Sequence, residues 1–289
     1  MVKNYLSLVK FSHTIFALPF ALVGFFLALR NDPGMPFPWV KLLLVLLCMV
    51  FARSAAMAFN RYLDRDIDAL NERTAVREIP AGVISPGRAL SFVVLNCVLF
   101  VLTTAFINPL CLFLAPVALA VVLGYSYTKR FTFLCHFVLG LGLALAPVGA
   151  YLAVAGSFST ISILYGLAVL LWVSGFDVIY SLQDEQFDRD NRLHSIPVRL
   201  GRLGALRLSK LLHGLCGVAM IGAAILVRGI YPSTGWLTVL ATGTFLLLLI
   251  RQHLLVSPTD LSKVNLAFFT TNGIASVVFG SLLIVDLLT

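Results

Sequence analysis

Residues 39–68 read WVKLLLVLLCMVFARSAAMAFNRYLDRDID. An almost unbroken apolar run, Trp39 to Phe59, leads into a cluster holding Asn60, Arg61, Asp64, Arg65, Asp66 and Asp68. An apolar run of that length matches the hydrocarbon core of a bilayer when it is helical. Its polar end must then emerge at the membrane surface. Further apolar stretches recur at roughly 11–29, 89–107, 110–127, 133–154, 160–180, 210–228, 235–250 and 265–287.

The composition agrees. Of 289 residues, 60% are hydrophobic and 12% are charged, where a soluble domain carries about 25% charged residues. Mean hydropathy is +0.97. No polar linker or low-complexity tract interrupts the pattern, so a single membrane-embedded domain is expected over 1–289. The first apolar stretch lacks a small-residue cleavage site and is expected to be retained. The fold expected is all-α and polytopic, with about nine transmembrane helices.

Basic residues set the topology. Seventeen of the 21 Lys and Arg fall in the amino terminus and in the loops after the second, fourth, sixth and eighth stretches. Positive-inside bias assigns those segments to the cytoplasm. The formal net charge of +8 is thus a topological signal that also suits anionic lipid headgroups, and nucleic acid is not called for. The five cysteines form no CxxC or Cys/His cluster and read as inert thiols.

Ten of the thirteen carboxylates lie in two of these cytoplasmic windows, 60–88 and 177–190. Each window runs from an apolar helix through spaced acids and a basic loop to Ile-Pro, in "REIPAG" and in "HSIPVRLG". The offset of about 120 residues covers four helices. An even number of helices per unit gives two parallel four-helix pseudo-repeats, plus one helix, with both acidic windows on one membrane face.

Spacing sharpens the reading. Asn60, Asp64 and Asp68 recur every four residues, within about 80° of one helical face. Asp177, Asp184 and Asp188 span about 40°, with Tyr180 at the border. Like charges stacked on one face repel, and divalent cations relieve the repulsion. Hard oxygen donors without neighbouring Cys or His favour Mg2+ over zinc or iron. Such a site completes its shell with water and phosphate, and Arg73, Arg77, Lys129 and Arg130 supply phosphate-binding charge on the same side. Arg53, within an apolar stretch, is the other residue that calls for a role: it either meets an acidic substrate group or pairs with an acid such as Asp177. His13 is a further pocket candidate. Tyr125 and Tyr180 are candidates for phosphate or cation contacts.

The chain resembles the UbiA superfamily of intramembrane aromatic prenyltransferases. The family's Asn-Asp-x-x-Asp-x-x-x-Asp motif is matched by Asn60 to Asp68, its Asp-x-x-x-Asp motif by Asp184 and Asp188, and its Tyr-x-x-x-Lys motif by Tyr125 and Lys129. One position departs: Arg61 stands where the family has an aspartate, so the first motif offers a metal one carboxylate fewer. The surrounding sequence is similar to a bacterial branch that prenylates 4-hydroxybenzoate, part of which takes 1,4-dihydroxy-6-naphthoate on a route to menaquinone. The resemblance implies Mg2+ held by Asn60, Asp64, Asp68, Asp184 and Asp188, with Asp177 in addition. It implies a polyprenyl diphosphate donor gripped by Lys129, Arg130, Arg73, Arg77 and Tyr125. It makes Asp64, Asp184 and Lys129 the catalytic residues and Arg53, His13 and Tyr180 the acceptor contacts. It places the enzyme in the bacterial inner membrane with its site on the cytoplasmic side. Alternatives are another synthase of the superfamily, for haem O, chlorophyll or archaeal lipid, and a cation-coupled transporter.

Overall fold

A computed structural model of the protein describes residues 2–9, 15–32 and 34–289. Its regular elements are all helical: α1 (Val2–Leu8), α2 (Leu18–Leu29), α3 (Trp39–Leu63), α4 (Arg65–Leu70), α5 (Pro86–Ala105), α6 (Pro109–Thr128), α7 (Cys135–Ala155), α8 (Thr160–Ser181), α9 (Glu185–Asp190), α10 (Ile196–Ile230), α11 (Trp236–Leu255) and α12 (Asn272–Leu288). A π-helical turn, Leu266–Thr271, leads into α12. Eight of the helical segments are long and apolar enough to cross a membrane, and α2 is a shorter apolar helix of 12 residues. The chain is therefore a multi-pass, all-α membrane protein. Helices dominate because lipid offers the backbone no hydrogen bonds, so each crossing segment must satisfy its own N–H and C=O groups. Large apolar side chains such as Trp39, Leu43, Phe113 and Leu247 remain exposed, as lipid-facing residues do.

The structure departs from the sequence expectation at α10. The apolar stretch suggested a helix at 210–228, whereas α10 runs 35 residues from Ile196. Its first part carries Arg199, Arg202, Arg207 and Lys210 between leucines, so it is helical without being continuously apolar. A kink at Gly201 interrupts it, with φ of 66°. That left-handed conformation is open to glycine and strained for other residues.

Contacts divide the chain into two compact units, one of α1 with Trp39–Thr128 and one of Ile15–Pro38 with Lys129–Thr289. The division after Thr128 falls where the sequence repeat joins, but α2 belongs with the second unit.

In the first unit α3 packs on α5 and α6. Leu8, Ala58, Ile79, Ile84, Ala89 and Val93 form a small core beneath the polar loop that follows α4. In the second unit α8 is central, packed by α7 and α10. Trp172 of α8 lies 5.3 Å from the rings of Phe20 and Phe245. Close approach replaces the hydrophobic effect as the packing device inside lipid: a Cβ at Gly24 would lie 2.1 Å from the Pro147 carbonyl oxygen, so α2 meets α7 at backbone contact only because residue 24 is glycine.

Buried Asp286 of α12 accepts from the N–H groups of Gly235 at 3.0 Å and Thr238 at 2.8 Å, and from the Thr238 hydroxyl. It caps α11 from another helix. Asp286→Ala is expected to remove about 2 kcal/mol of stability by orphaning these donors. The check is the thermal unfolding midpoint in detergent, and an unchanged midpoint would contradict the capping role.

Candidate active site

In the first unit the acids sit where α3 gives way to α4. Asp64 occupies the break, with φ −90° and ψ 6°. The hydrogen-bond ladder continues across it: Asp64 N–H donates to the Asn60 carbonyl at 2.9 Å and Asp68 N–H to that of Asp64 at 2.7 Å. The one-turn spacing read from the sequence therefore survives. Asn60 Nδ2 donates to Asp64 Oδ2 at 2.9 Å. Asp68 is buried at 6% exposure, and one nitrogen, Arg77 Nη1, bridges both its oxygens at 2.6 and 2.7 Å. The Thr74 hydroxyl donates to the Asp68 carbonyl at 2.9 Å, which folds the basic loop back over α4. Arg73 lies exposed on that loop, its N–H bonded to Asn71 Oδ1. Arg53 is half-buried in α3, within electrostatic reach of Tyr125 on α6.

In the second unit α8 ends in a 3-10 turn, Leu182–Asp184, and α9 follows at once. Asp188 is fully buried, and Lys129 Nζ stands 2.6 Å from its Oδ1. Burial disfavours the ammonium, but Asp188 and then Asp184 outweigh that and hold the Lys129 pKa above the ordinary lysine value. Buried Ser195 borders the same carboxylate. The lysine is anchored through its backbone, since its carbonyl accepts from His194 N–H at 2.8 Å. The 129–135 loop is further tied to the chain after α9 by Arg199, stacked 4.7 Å over the Phe133 ring. Arg130 is exposed beside Lys129. Tyr180 stacks on Phe268 of the π-helical turn, ring centres 4.1 Å apart.

Asp177 requires a correction to the sequence reading. No histidine stands near Asp177 in sequence, yet the ring of His136, on α7, meets Asp177 Oδ2 through Nδ1 at 2.7 Å. His136 Nε2 accepts from Ile196 N–H at 3.3 Å. A backbone N–H only donates, so the ring proton belongs on Nδ1 and points at Asp177. Asp177 thus has one oxygen fixed by the His136 ring. Forty-one residues separate the partners, which hid the contact. The one available signal was that His136 is an ionisable residue in an apolar span.

Of the residues singled out, the first unit gathers Asn60, Asp64, Asp68 and Arg77, with Arg53 and Tyr125 as neighbours. The second gathers Lys129, Asp184 and Asp188, and it pairs Asp177 with His136 and Tyr180 with Phe268. His13 lies outside the described residues. Among the described residues no three His, Cys, Asp or Glu side chains converge as a metal site. The donors nonetheless fit Mg2+ in kind, because each unit offers two or three hard oxygens and leaves the remaining positions to water and phosphate. The five cysteines are free.

A sequence profile of the UbiA prenyltransferase family matches residues 17–274. A 4-hydroxybenzoate octaprenyltransferase of Photobacterium profundum is 30% identical over 286 residues, 96% of this chain and 94% of that protein. One of Aliivibrio fischeri is 30% identical over 85% of this chain and 83% of its own length. Among solved structures, the apo form of a UbiA homolog from Aeropyrum pernix K1 superposes with TM-score 0.82 at 34% identity, covering 95% of this chain and 98% of that one. A UbiA homolog from Archaeoglobus fulgidus, bound to DMAPP and Mg2+, shares the fold with TM-score 0.75 at 20% identity, covering 99% of each chain.

Proposed function

Because the chain belongs to the UbiA prenyltransferase family, we propose that it transfers a polyprenyl group from a polyprenyl diphosphate to an aromatic hydroxy-acid, 4-hydroxybenzoate or 1,4-dihydroxy-6-naphthoate, in quinone synthesis. The observation that carries this reading is the near full-length kinship to 4-hydroxybenzoate octaprenyltransferases. The acid and cation pairs of the two units support it, since they are what a diphosphate with Mg2+ needs.

Asn60, Asp64 and Asp68 in the first unit, and Asp184, Asp188 and Asp177 in the second, are the oxygen ligands for Mg2+. Bound Mg2+ supplies Lewis-acid stabilisation of the departing diphosphate. Lys129, Arg130, Arg73, Arg77 and Tyr125 neutralise the charge that gathers on its oxygens as the allylic C–O bond breaks. Arg53 holds the acceptor carboxylate, and Tyr180 borders the ring. A ring carbon bonds to the allylic carbon and a ring proton leaves. Apolar surroundings keep water from intercepting the cation. The positive-inside count supports a site facing the cytoplasm, in a bacterial inner membrane.

The test uses membranes containing the protein, a polyprenyl diphosphate and each aromatic acid in turn. Prenylated product is expected with Mg2+ and none with EDTA. Failure with both acids, or turnover that survives EDTA, would overturn the proposal.

A further inference from the structure

Arg61 is 5% exposed at the carboxyl end of α3. Among the described residues no ion pair or hydrogen bond reaches it, and its Nε is buried without a partner. The charged and titratable groups that act on it electrostatically are Arg77, Asp68, Glu78 and Tyr125. Asp68 is already bridged by Arg77 through both oxygens. Glu78 accepts from the Ser7 hydroxyl at 2.5 Å. Two guanidiniums therefore share one pocket with two carboxylates, neither of which is hydrogen-bonded to Arg61. A buried cation without a hydrogen-bonded counter-charge is expensive to keep, and Arg61 Nε is left with no acceptor.

We propose that Arg61 binds the diphosphate of the prenyl donor directly, together with Arg77. The inference rests on the prenyl-transfer reading above, and it adds a residue that the metal-ligand pattern does not include. A diphosphate suits the pocket better than a carboxylate does, because its several charged oxygens match two planar donor forks. A fixed guanidinium also neutralises charge without a metal. Part of the affinity for diphosphate must then survive when divalent ions are removed.

The experiment titrates inorganic diphosphate into the full-length protein in detergent, followed by calorimetry, in EDTA and again in Mg2+. Wild type is expected to bind in EDTA. Arg61→Gln should weaken that binding about tenfold or more, and Arg61→Lys about threefold, since the ammonium keeps charge but loses the fork. The difference should narrow in Mg2+. Equal affinities for wild type and Arg61→Gln in EDTA, or no metal-free binding by wild type, would overturn the inference. So would a loss confined to 4-hydroxybenzoate, which would make the anion the acceptor's carboxylate. Displacement of diphosphate by phosphatidylglycerol micelles at equal concentration would point to a lipid headgroup and overturn it as well. If Arg61→Gln fails to fold, Arg61→Lys decides, and unchanged affinity there counts against the assignment. Diphosphate binding through Arg61 without prenyl transfer to any aromatic acid would refute the activity and leave this site standing. Full transfer by Arg61→Gln with an unchanged KM for the donor would do the reverse.

Discussion

Asp64→Ala and Asp184→Ala are each expected to reduce prenyl transfer by about a thousandfold or more, while the unfolding midpoint moves little. The activity loss follows from the role proposed for the carboxylates: without them the leaving diphosphate would lose its metal-borne charge compensation, a contribution of several kcal/mol to the barrier. The stability outcome follows from where they are. Both side chains are only partly buried, unlike those of Asp68 and Asp188, so truncation to alanine removes little packing. Asp66 is the control. Its side chain is 83% exposed and stands 3.5 Å from its neighbour Arg65, the sort of surface pair that contributes almost nothing. Asp66→Ala should keep full turnover. If Asp64→Ala and Asp184→Ala turn over as fast as Asp66→Ala, the acids belong to a solvated helix end and the catalytic assignment fails.

That contrast also marks what the sequence made legible. Helical periodicity separated Asp64 from Asp66 because a four-residue spacing survives even the break between α3 and α4. The apolar runs located the crossing helices because, in lipid, length and hydropathy nearly determine the element. Contacts between distant segments were hidden. His136 and Asp177 meet across 41 residues with no local motif to announce them. Arg77 was legible as a basic residue of the cytoplasmic loop, but its hold on Asp68 depends on Thr74 folding the loop back. Arg61 was legible as a departure from a pattern, whereas its burial without a partner is a property of the fold. The amphipathic start of α10 was missed because a hydropathy window rewards apolar residues only, and Arg199, Arg202 and Arg207 break the run without breaking the helix.

Lys129→Met is expected to damage both stability and activity, and the two losses can be pulled apart. Asp188 has no solvent access, and Lys129 stands 2.6 Å from it. Removing the lysine leaves a buried carboxylate without its cation, which costs about 3 kcal/mol. The double variant Lys129→Met/Asp188→Asn removes the charge as well and should recover most of that stability. It should still transfer no prenyl group, because the diphosphate has lost a cation and the second unit a ligand. The pH dependence fixes the sign. Folding raises the Lys129 pKa, so the folded protein holds this proton more tightly than the unfolded chain does. The contribution is complete below the ordinary lysine value and is lost only as pH climbs through the raised one. From roughly pH 6 to 9, below the lysine range, the stability gap between wild type and the double variant, which has no buried carboxylate left to titrate, should stay constant. Chemical denaturation at several pH values measures it. A gap that closes inside that window would mean that the ammonium releases its proton there and that the pair is not what holds Asp188 in the interior. A double variant that regains both stability and turnover would confine the pair to a structural role and leave Arg73 and Arg77 as the cations that meet the diphosphate.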